Sequence, residues 1–203
     1  RAILERMARI EPFRLAFDVG ANIGDWSLLA AELHPDAKIF SFEIAEPTFR
    51  ILSGRVGGNP RIIPHHCGLS DRVGPITLQY VPTQAGSTTG LNLEFEYDTN
   101  NLKTSLLEGR VTTGDSYLEA TGIDHIDFLK MDVEGMEHLV LKGFAGALKA
   151  GKVGMIQFEY GMSNIVSKFM LRDFHQFFQA HGYVLGKLYP RYCLLYTSPS
   201  PRD

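Results

Sequence analysis

The chain has 203 residues, of which 44% are hydrophobic, and its formal net charge at pH 7 is −3. This length and composition indicate one globular domain with a full core, and the slightly acidic balance offers no electrostatic footprint for a nucleic acid. No stretch approaches ~18 consecutive apolar residues, and two cysteines point to a reducing compartment, so we expect a cytoplasmic protein without a membrane partner.

The first predicted element is a strand that enters a glycine turn. Residues Leu15 to Val19 form a short apolar run, which turns through Gly20 and Gly24 into a helical pattern over about 25–34. Such strand–turn–helix units bring the backbone close to nucleotide-like ligands. Asp18 stands where a dinucleotide-binding turn carries its first glycine, so it would repel a pyrophosphate but suits the cationic ligand S-adenosylmethionine. A plain turn without a ligand is the alternative.

The second predicted strand, over 37–42, ends on Glu43, 25 residues after Asp18. In nucleotide-binding α/β folds, an acid about 20 residues past the glycine turn accepts hydrogen bonds from ribose hydroxyls. Asp18, Gly20 and Glu43 together form the pattern of a class I methyltransferase core. We expect them to line one cofactor pocket in which Gly20 leaves space for the ligand. A solvated charge at the strand end is the alternative reading of Glu43.

The next part of the chain is less regular. We predict a helix over 46–56, followed by strands over 61–67 and 76–81. A long polar stretch covers 82–110, and a short helix is predicted over 115–121. The stretch 82–110 is rich in Gly, Ser, Thr and Asn, and a loop of such length in a compact domain is usually functional or disordered. Our hypothesis is that it forms a lid over an acceptor site.

Strands and helices alternate again towards the C-terminus. Apolar runs predict strands over 125–131, 153–158 and 183–189, with helical spacing between them. The whole pattern predicts a Rossmann-like α/β fold, with a mostly parallel twisted sheet covered by helices on both faces. Ligands of such sheets bind at the carboxyl ends of the strands, so the residues at those ends should converge: Asp18, Gly20, Glu43, Gly68, Asp132 and Glu159.

A dense charged cluster covers 127–137, with four carboxylates and Lys130. Lys130 and Asp132 share one face of the predicted strand. A lysine in an apolar strand needs a partner, and Asp132 and Glu43 are the candidates. Lys130 is either a base or an anchor that holds Asp132, while Asp132 is placed to bind the cofactor, a metal or the substrate hydroxyl. Glu134 and Glu137 are predicted to start a helix, where the helix dipole favours acidic residues, so part of the cluster's charge is expected to be structural.

These motifs together resemble the FkbM-type methyltransferases, a class I S-adenosylmethionine-dependent family that mostly methylates hydroxyl groups on sugars, polyketides and other metabolites. The resemblance covers about 12–190 and is carried by these segments: 17–24, Phe42-Glu43, 68–71, Asp127-Phe-Leu-Lys-Met-Asp-Val-Glu-Gly-Met-Glu137, and 156–160. One departure is that Ile44-Ala45-Glu46 stands between Glu43 and Pro47, which leaves open whether Glu43 or Glu46 meets the ribose; we favour Glu43, at the strand end.

The resemblance implies a set of site residues. It predicts cofactor contacts from Asp18, Gly20, Asn22, Gly24, Glu43, Gly68, Leu69, Ser70 and Asp132. Of these, Gly68, Leu69 and Ser70 are expected to border the adenine. The predicted catalytic residues are Asp132, Lys130 and Glu159. Asp132 and Glu159 would either hold a hard cation such as Mg²⁺ or act without a metal, and the metal-free arrangement is favoured because two acids are a thin ligand shell.

The two ends of the chain are expected to stand apart from the 12–192 methyltransferase domain. Residues 1–11 are predicted as a helical lead-in and a fragment start. Residues 193–203 have no packing pattern and resemble a translated sequencing adapter, so they are predicted to be a non-native tail that replaces the last strand of the sheet.

Two functions remain open at the level of the sequence. The first is S-adenosylmethionine-dependent methylation of a hydroxyl on a small-molecule or glycan acceptor. The second is a non-catalytic module that binds S-adenosylmethionine or another nucleotide. The turn at Asp18 disfavours a dehydrogenase. The sequence does not name the acceptor or the oligomeric state.

Overall fold

The computed structural model describes residues 4–5, 12–83, 86–90, 105–189 and 193–195. Its strands are β1 Leu15–Val19, β2 Lys38–Glu43, β3 Ile62–His66, β4 Gly68–Leu69, β5 Gly74–Thr83, β6 Gly86–Gly90, β7 Ser105–Thr112, β8 Ile126–Met131, β9 Val153–Phe158, β10 Gly186–Leu188 and β11 Cys193–Leu195. Its helices are α1 Asp25–Leu33, α2 Glu46–Val56, α3 Gly114–Thr121, α4 Glu137–Gly143, α5 Ala145–Lys149, α6 Ser163–Ser167 and α7 Leu171–Ala180.

A five-stranded parallel sheet forms the centre of the molecule, in the order β3-β2-β1-β8-β9. The chain runs outward from β1 to β3 and later returns to place β8 on the other side of β1. This reversal creates a crevice at the carboxyl ends of β1 and β8, where open α/β sheets bind ligands. The predicted parallel sheet is thus confirmed.

Both faces of this sheet are buried, because its strands are apolar at successive positions. Ala16 packs with Phe128 on the face that α1 and α2 cover, while Phe17 and Val19 point to the opposite face and pack with Phe144. Side chains that alternate between two buried faces are typical of a sheet with helices on both sides. The two cores hold the strand ends in fixed positions relative to one another.

A four-stranded sheet lies between β3 and α3 in the chain, in the order β4-β7-β5-β6. Most of it was expected to be loop, and that expectation is wrong for the described part of 82–110. Gly86–Gly90 pairs antiparallel with β5, and Ser105 begins β7. The error arose because polar, glycine-bearing strands lack the apolar alternation that reveals a strand in a sequence. Residues 84–85 and 91–104, which belong to the predicted lid, lie outside the described residues.

The ends of the chain differ in detail from the expectation. Only Leu4 and Glu5 of the predicted helical lead-in are described, and both are helical. The strand expected over 183–189 is shorter, and it pairs antiparallel with Cys193–Leu195, so the first residues of the predicted tail form a strand. Residues 196–203 lie outside the described part. No helix within the described residues is long and apolar enough to cross a membrane.

Candidate active site

A cavity of about 240 Å³ opens at the carboxyl ends of β1, β2, β8 and β9. Its polar lining comes from the parallel sheet and the turns that follow its strands, and includes Gly20, Asn22, Glu43, Asp132, Glu134 and Glu159. The other side of the cavity is an apolar wall, formed by Ile44, Leu69, Ile76, Leu78, Val111 and Met136. The cavity therefore has one side suited to polar and charged groups and another suited to an apolar ring.

The turn after β1 is held by close backbone packing. Gly20 has a φ of +75°, and a Cβ there would overlap the carbonyl oxygen of Asp132. The amides of Gly20 and Ala21 both donate to the carbonyl of Phe42, at 3.0 and 2.9 Å. Gly20 lines the cavity as predicted, but the protein itself fills the space that was expected to serve the ligand. The glycine is required so that the turn can approach the end of β8.

Gly24 lies at the junction between the turn after β1 and α1. It begins α1 in the left-handed region, with a φ of +89°, and a Cβ would lie 2.7 Å from Cδ1 of Leu52. It does not belong to the cavity lining. Its absent side chain allows α1 to pack against α2, which positions the turn after β1.

Glu43 is a buried carboxylate on the cavity wall. It accepts hydrogen bonds from the amides of Asn22 at 2.9 Å and of Ala45 at 2.8 Å. Burial raises the pKa of this carboxyl, and the backbone amide donors oppose that shift. Glu46, by contrast, is exposed and pairs with Arg50 on α2. The structure thus places Glu43, and not Glu46, in the cavity.

Asp18 and Lys130 form a buried ion pair beneath the cavity and do not line it. Lys130 Nζ lies 2.9 Å from Asp18 Oδ1 and donates to the carbonyl of Gly20 at 3.0 Å. Ser27 Oγ donates to the other oxygen of Asp18 at 2.6 Å. Asp18 is fully buried, so its charge faces the protein interior.

This placement corrects the expected partners of Lys130. Its Nζ lies 3.5 Å from Asp132 Oδ2, as predicted, but its nearest carboxylate is Asp18 and not Glu43. Burial lowers the pKa of Lys130, yet the Asp18 and Asp132 carboxylates outweigh burial and the net shift is upward. A lysine with a raised pKa stays protonated, which favours the anchor over the base.

Gly68 and Leu69 of β4, and Ser70 directly after them, line the cavity. The Ser70 amide donates to the carbonyl of Thr112 at 2.9 Å, and β4 pairs with β7. Strand β4 therefore joins the cavity to the four-stranded sheet. The parts of the apolar wall on β5 and β7, namely Ile76, Leu78 and Val111, were missed because nothing in the sequence says which face of those strands turns towards the cavity. The alternation Ile76-x-Leu78 was their one visible signal.

The acidic end of the cavity consists of Asp132, Glu134 and Glu159. The amides of Asp132 and Glu159 donate to the carbonyls of Val19 and Met131, which fixes both residues at adjacent strand tips. A hydrogen bond with Asp132, together with burial and repulsion from neighbouring carboxylates, raises the pKa of Glu159 to about 8. Glu159 therefore keeps its proton at neutral pH, beside Asp132.

Glu137 is buried outside this lining, and its Oε1 accepts from the amide of Val133 at 3.0 Å. Its role in the structure is to hold the turn after β8, which agrees with the expectation that part of the acidic cluster is structural. Among the described residues, no group of three or more His, Cys, Asp or Glu side chains is arranged to hold a metal ion.

The parallel sheet and its cavity define the fold of a class I methyltransferase. Two solved structures share it at low sequence identity: a precorrin-6y C5,15-methyltransferase from Geobacter metallireducens (TM-score 0.51, 11% identity, 93% of this chain and 72% of that chain) and a putative rRNA methylase from Clostridium thermocellum (TM-score 0.51, 8% identity, 97% and 95%). The methyltransferase FkbM domain matches residues 18–185, and the chain belongs to that family.

Several curated relatives are similar to the chain over part of their length. Methyltransferase sdnD from Sordaria araneosa is 31% identical over 62% of this chain and 58% of its own. The hexuronic acid methyltransferase AglP from Haloferax volcanii is 29% identical over 72% and 56%. The 31-O-demethyl-FK506 methyltransferase FkbM from Streptomyces tacrolimicus is 28% identical over 72% and 65%. The chain thus spans somewhat over half the length of these relatives.

Proposed function

We propose that the protein transfers a methyl group from S-adenosylmethionine to a hydroxyl group of a sugar, glycan or other small metabolite. The observation that carries this proposal is the carboxyl pair of Asp132 and Glu159, which shares the cavity with Glu43. One cavity thus offers a carboxylate suited to hydroxyl groups and, once Glu159 has lost its proton, a basic carboxylate beside Asp132.

The residues of the cavity fit S-adenosylmethionine. Glu43 presents a buried carboxylate, which suits the ribose hydroxyls. Ile44 and Leu69 on the apolar wall suit the flat faces of an adenine, and the acidic end suits the cationic amino acid portion. When bound, the cofactor supplies an electrophilic methyl group on a sulfonium.

The protein contributes position and a proton acceptor. Glu159 stands at the rim of the acidic end and holds its proton up to a pH of about 8. Above that pH the Glu159 carboxylate is free to accept the hydroxyl proton, and it is a stronger base than an ordinary glutamate. General bases typically contribute about 10²–10⁴-fold to a rate. Asp132 orients Glu159 through their hydrogen bond, and Lys130 anchors Asp132 from below.

The printed names of two relatives support an acceptor of this kind, since one names a hexuronic acid and the other a 31-O-demethyl compound. The net charge of −3 and the acidic end give no attraction for a phosphate backbone, which supports a small acceptor over a nucleic acid.

Transfer of labelled methyl groups to a panel of uronic acids, neutral sugars and macrocyclic alcohols tests the proposal. We expect transfer to at least one hydroxyl acceptor, and a loss of about 100-fold or more in kcat for Glu159→Gln. Glu46→Gln is the matched control, because Glu46 is exposed and outside the cavity. Binding of S-adenosylhomocysteine without transfer to any acceptor would instead support the non-catalytic binding module.

The same assay with EDTA decides between the two uses of the acid pair. Unchanged transfer in EDTA is expected if Glu159 accepts the proton directly. A rate that is lost in EDTA and restored by Mg²⁺ would assign Asp132 and Glu159 to a hard cation.

A further inference from the structure

Ile44 lies between the cavity and the four-stranded sheet. It directly follows Glu43, lines the cavity, and packs with Ile76, Leu78 and Val111. Its position sets how far the apolar wall reaches into the cavity, next to the carboxylate that we assign to the ribose. Whatever holds Ile44 in place therefore sets the width of the cavity at this end.

Gly109 on β7 stands directly behind Ile44. A Cβ on Gly109 would lie 2.5 Å from Cγ1 and 2.8 Å from Cδ1 of Ile44, closer than real side chains approach. Gly109 is paired with Ile76 in the middle of its strand, and its φ lies outside the left-handed region that favours glycine. The backbone does not require glycine here, so the missing side chain is what matters.

The surroundings of Ile44 leave it little room to retreat. Gly68 faces it from the neighbouring strand, where a Cβ would lie 3.1 Å from Cδ1 of Ile44 and 3.2 Å from Cγ1 of Val111. Because β4 and β7 lie on one side of Ile44 and the cavity on another, a new side chain at position 109 would push Ile44 towards the open space of the cavity. Close-packed interiors transmit such displacements.

We propose that Gly109 is a positioning residue that fixes Ile44 and thereby sets the affinity of the cavity for the nucleoside portion of its ligand. The proposal rests on the proposed function, because it takes the apolar wall as the nucleoside site. It assigns to the four-stranded sheet a part in cofactor recognition, through a residue that does not itself line the cavity.

Isothermal titration of the protein with S-adenosylhomocysteine and with adenosine tests this assignment. Adenosine carries the base and ribose but lacks the amino acid portion, so it reports on this end alone. We expect Gly109→Ala to bind both ligands about tenfold more weakly than the parent. Gly58→Ala is the matched control, since a Cβ at Gly58 meets no atom within 4 Å, and it should bind both ligands as the parent does.

A double variant separates positioning from general damage. Ile44→Ala removes both atoms that Gly109→Ala would strike, so Ile44→Ala/Gly109→Ala should bind as tightly as Ile44→Ala alone. Two independent losses that add would overturn the proposal. If Gly109→Ala does not fold, the double variant decides: it must fold and match Ile44→Ala, and failure to do so overturns the proposal.

The outcomes also distinguish this assignment from the proposed function. A parent protein that binds neither S-adenosylhomocysteine nor adenosine contradicts both. A parent that binds both ligands, with Gly109→Ala binding them as tightly as the parent, contradicts the role of Gly109 alone.

Discussion

The two sides of the cavity are built on different principles. On the parallel sheet, Glu43, Asp132 and Glu159 occupy strand tips, where backbone hydrogen bonds fix the chain and a buried ion pair lies underneath. On the four-stranded sheet, Ile76, Leu78 and Val111 present an apolar surface, which the pairing of β5 with β7 and packing against Ile44 hold in place. The first side should therefore respond to changes of charge, and the second to changes of volume.

The largest expected effect concerns the ion pair beneath the polar side. Lys130→Met leaves Asp18 buried without its cation, so we expect the free energy of unfolding to fall by about 3–5 kcal/mol, measured by urea denaturation. Lys152→Met is the matched control, because Lys152 pairs with Asp124, which is 90% exposed, and we expect a far smaller loss. Equal losses in the two variants would show that the buried pair does not support this side.

A smaller effect is expected at the wall itself. Glu43→Gln replaces one acceptor oxygen by an amide donor that faces the N–H of Asn22 or Ala45. It also removes the charge that we propose binds the ribose. We expect binding of S-adenosylhomocysteine to weaken by about 10–100-fold in calorimetric titrations. Glu46→Gln should bind as the parent does. A similar loss in Glu46→Gln would transfer the ribose contact to that residue.

The smallest effect is a dependence of stability on pH. Glu159 in the folded protein holds its proton up to a pH of about 8, whereas its ordinary pKa is 4.5, so the folded state binds more protons between these values. The free energy of unfolding contributed by Glu159 therefore falls as pH rises from about 4.5 to about 8. Glu159→Gln lacks this contribution.

Melting temperatures measured between pH 5 and pH 9 check this sign. The Tm of the parent should fall relative to that of Glu159→Gln as the pH rises through about 8. Parallel curves over the whole range would show that Glu159 does not carry the raised pKa, and would weaken its assignment as the proton acceptor.

The sequence predicted the polar side well, for a physical reason. Glu43, Asp132 and Glu159 each follow an apolar run, and the ends of parallel strands meet at one edge of a sheet. Whether a charged residue near a strand end faces the cavity or the protein interior was harder to predict. Asp18 lies one position before the end of β1, and its pairing with Lys130 on β8 places it in the interior. The sequence therefore indicated which charged residues lie at strand ends, but not the direction in which their side chains point.

The apolar wall depends on tertiary placement, which single-sequence patterns do not contain. Leu78 alternates with polar neighbours in the way of any half-buried strand, and nothing near it indicates which sheet it joins. Gly109 gave no signal either, because its requirement comes from Ile44, which is distant in the chain. Pairing between β5 and β7 brings these residues to the cavity.

We propose that this cavity binds S-adenosylmethionine. The most direct test is calorimetric titration of the protein with S-adenosylmethionine and, separately, with NAD. We predict saturable binding of S-adenosylmethionine and no measurable binding of NAD, whose pyrophosphate would meet the acidic end formed by Asp132, Glu134 and Glu159. Tighter binding of NAD, or no binding of S-adenosylmethionine, would contradict the claim.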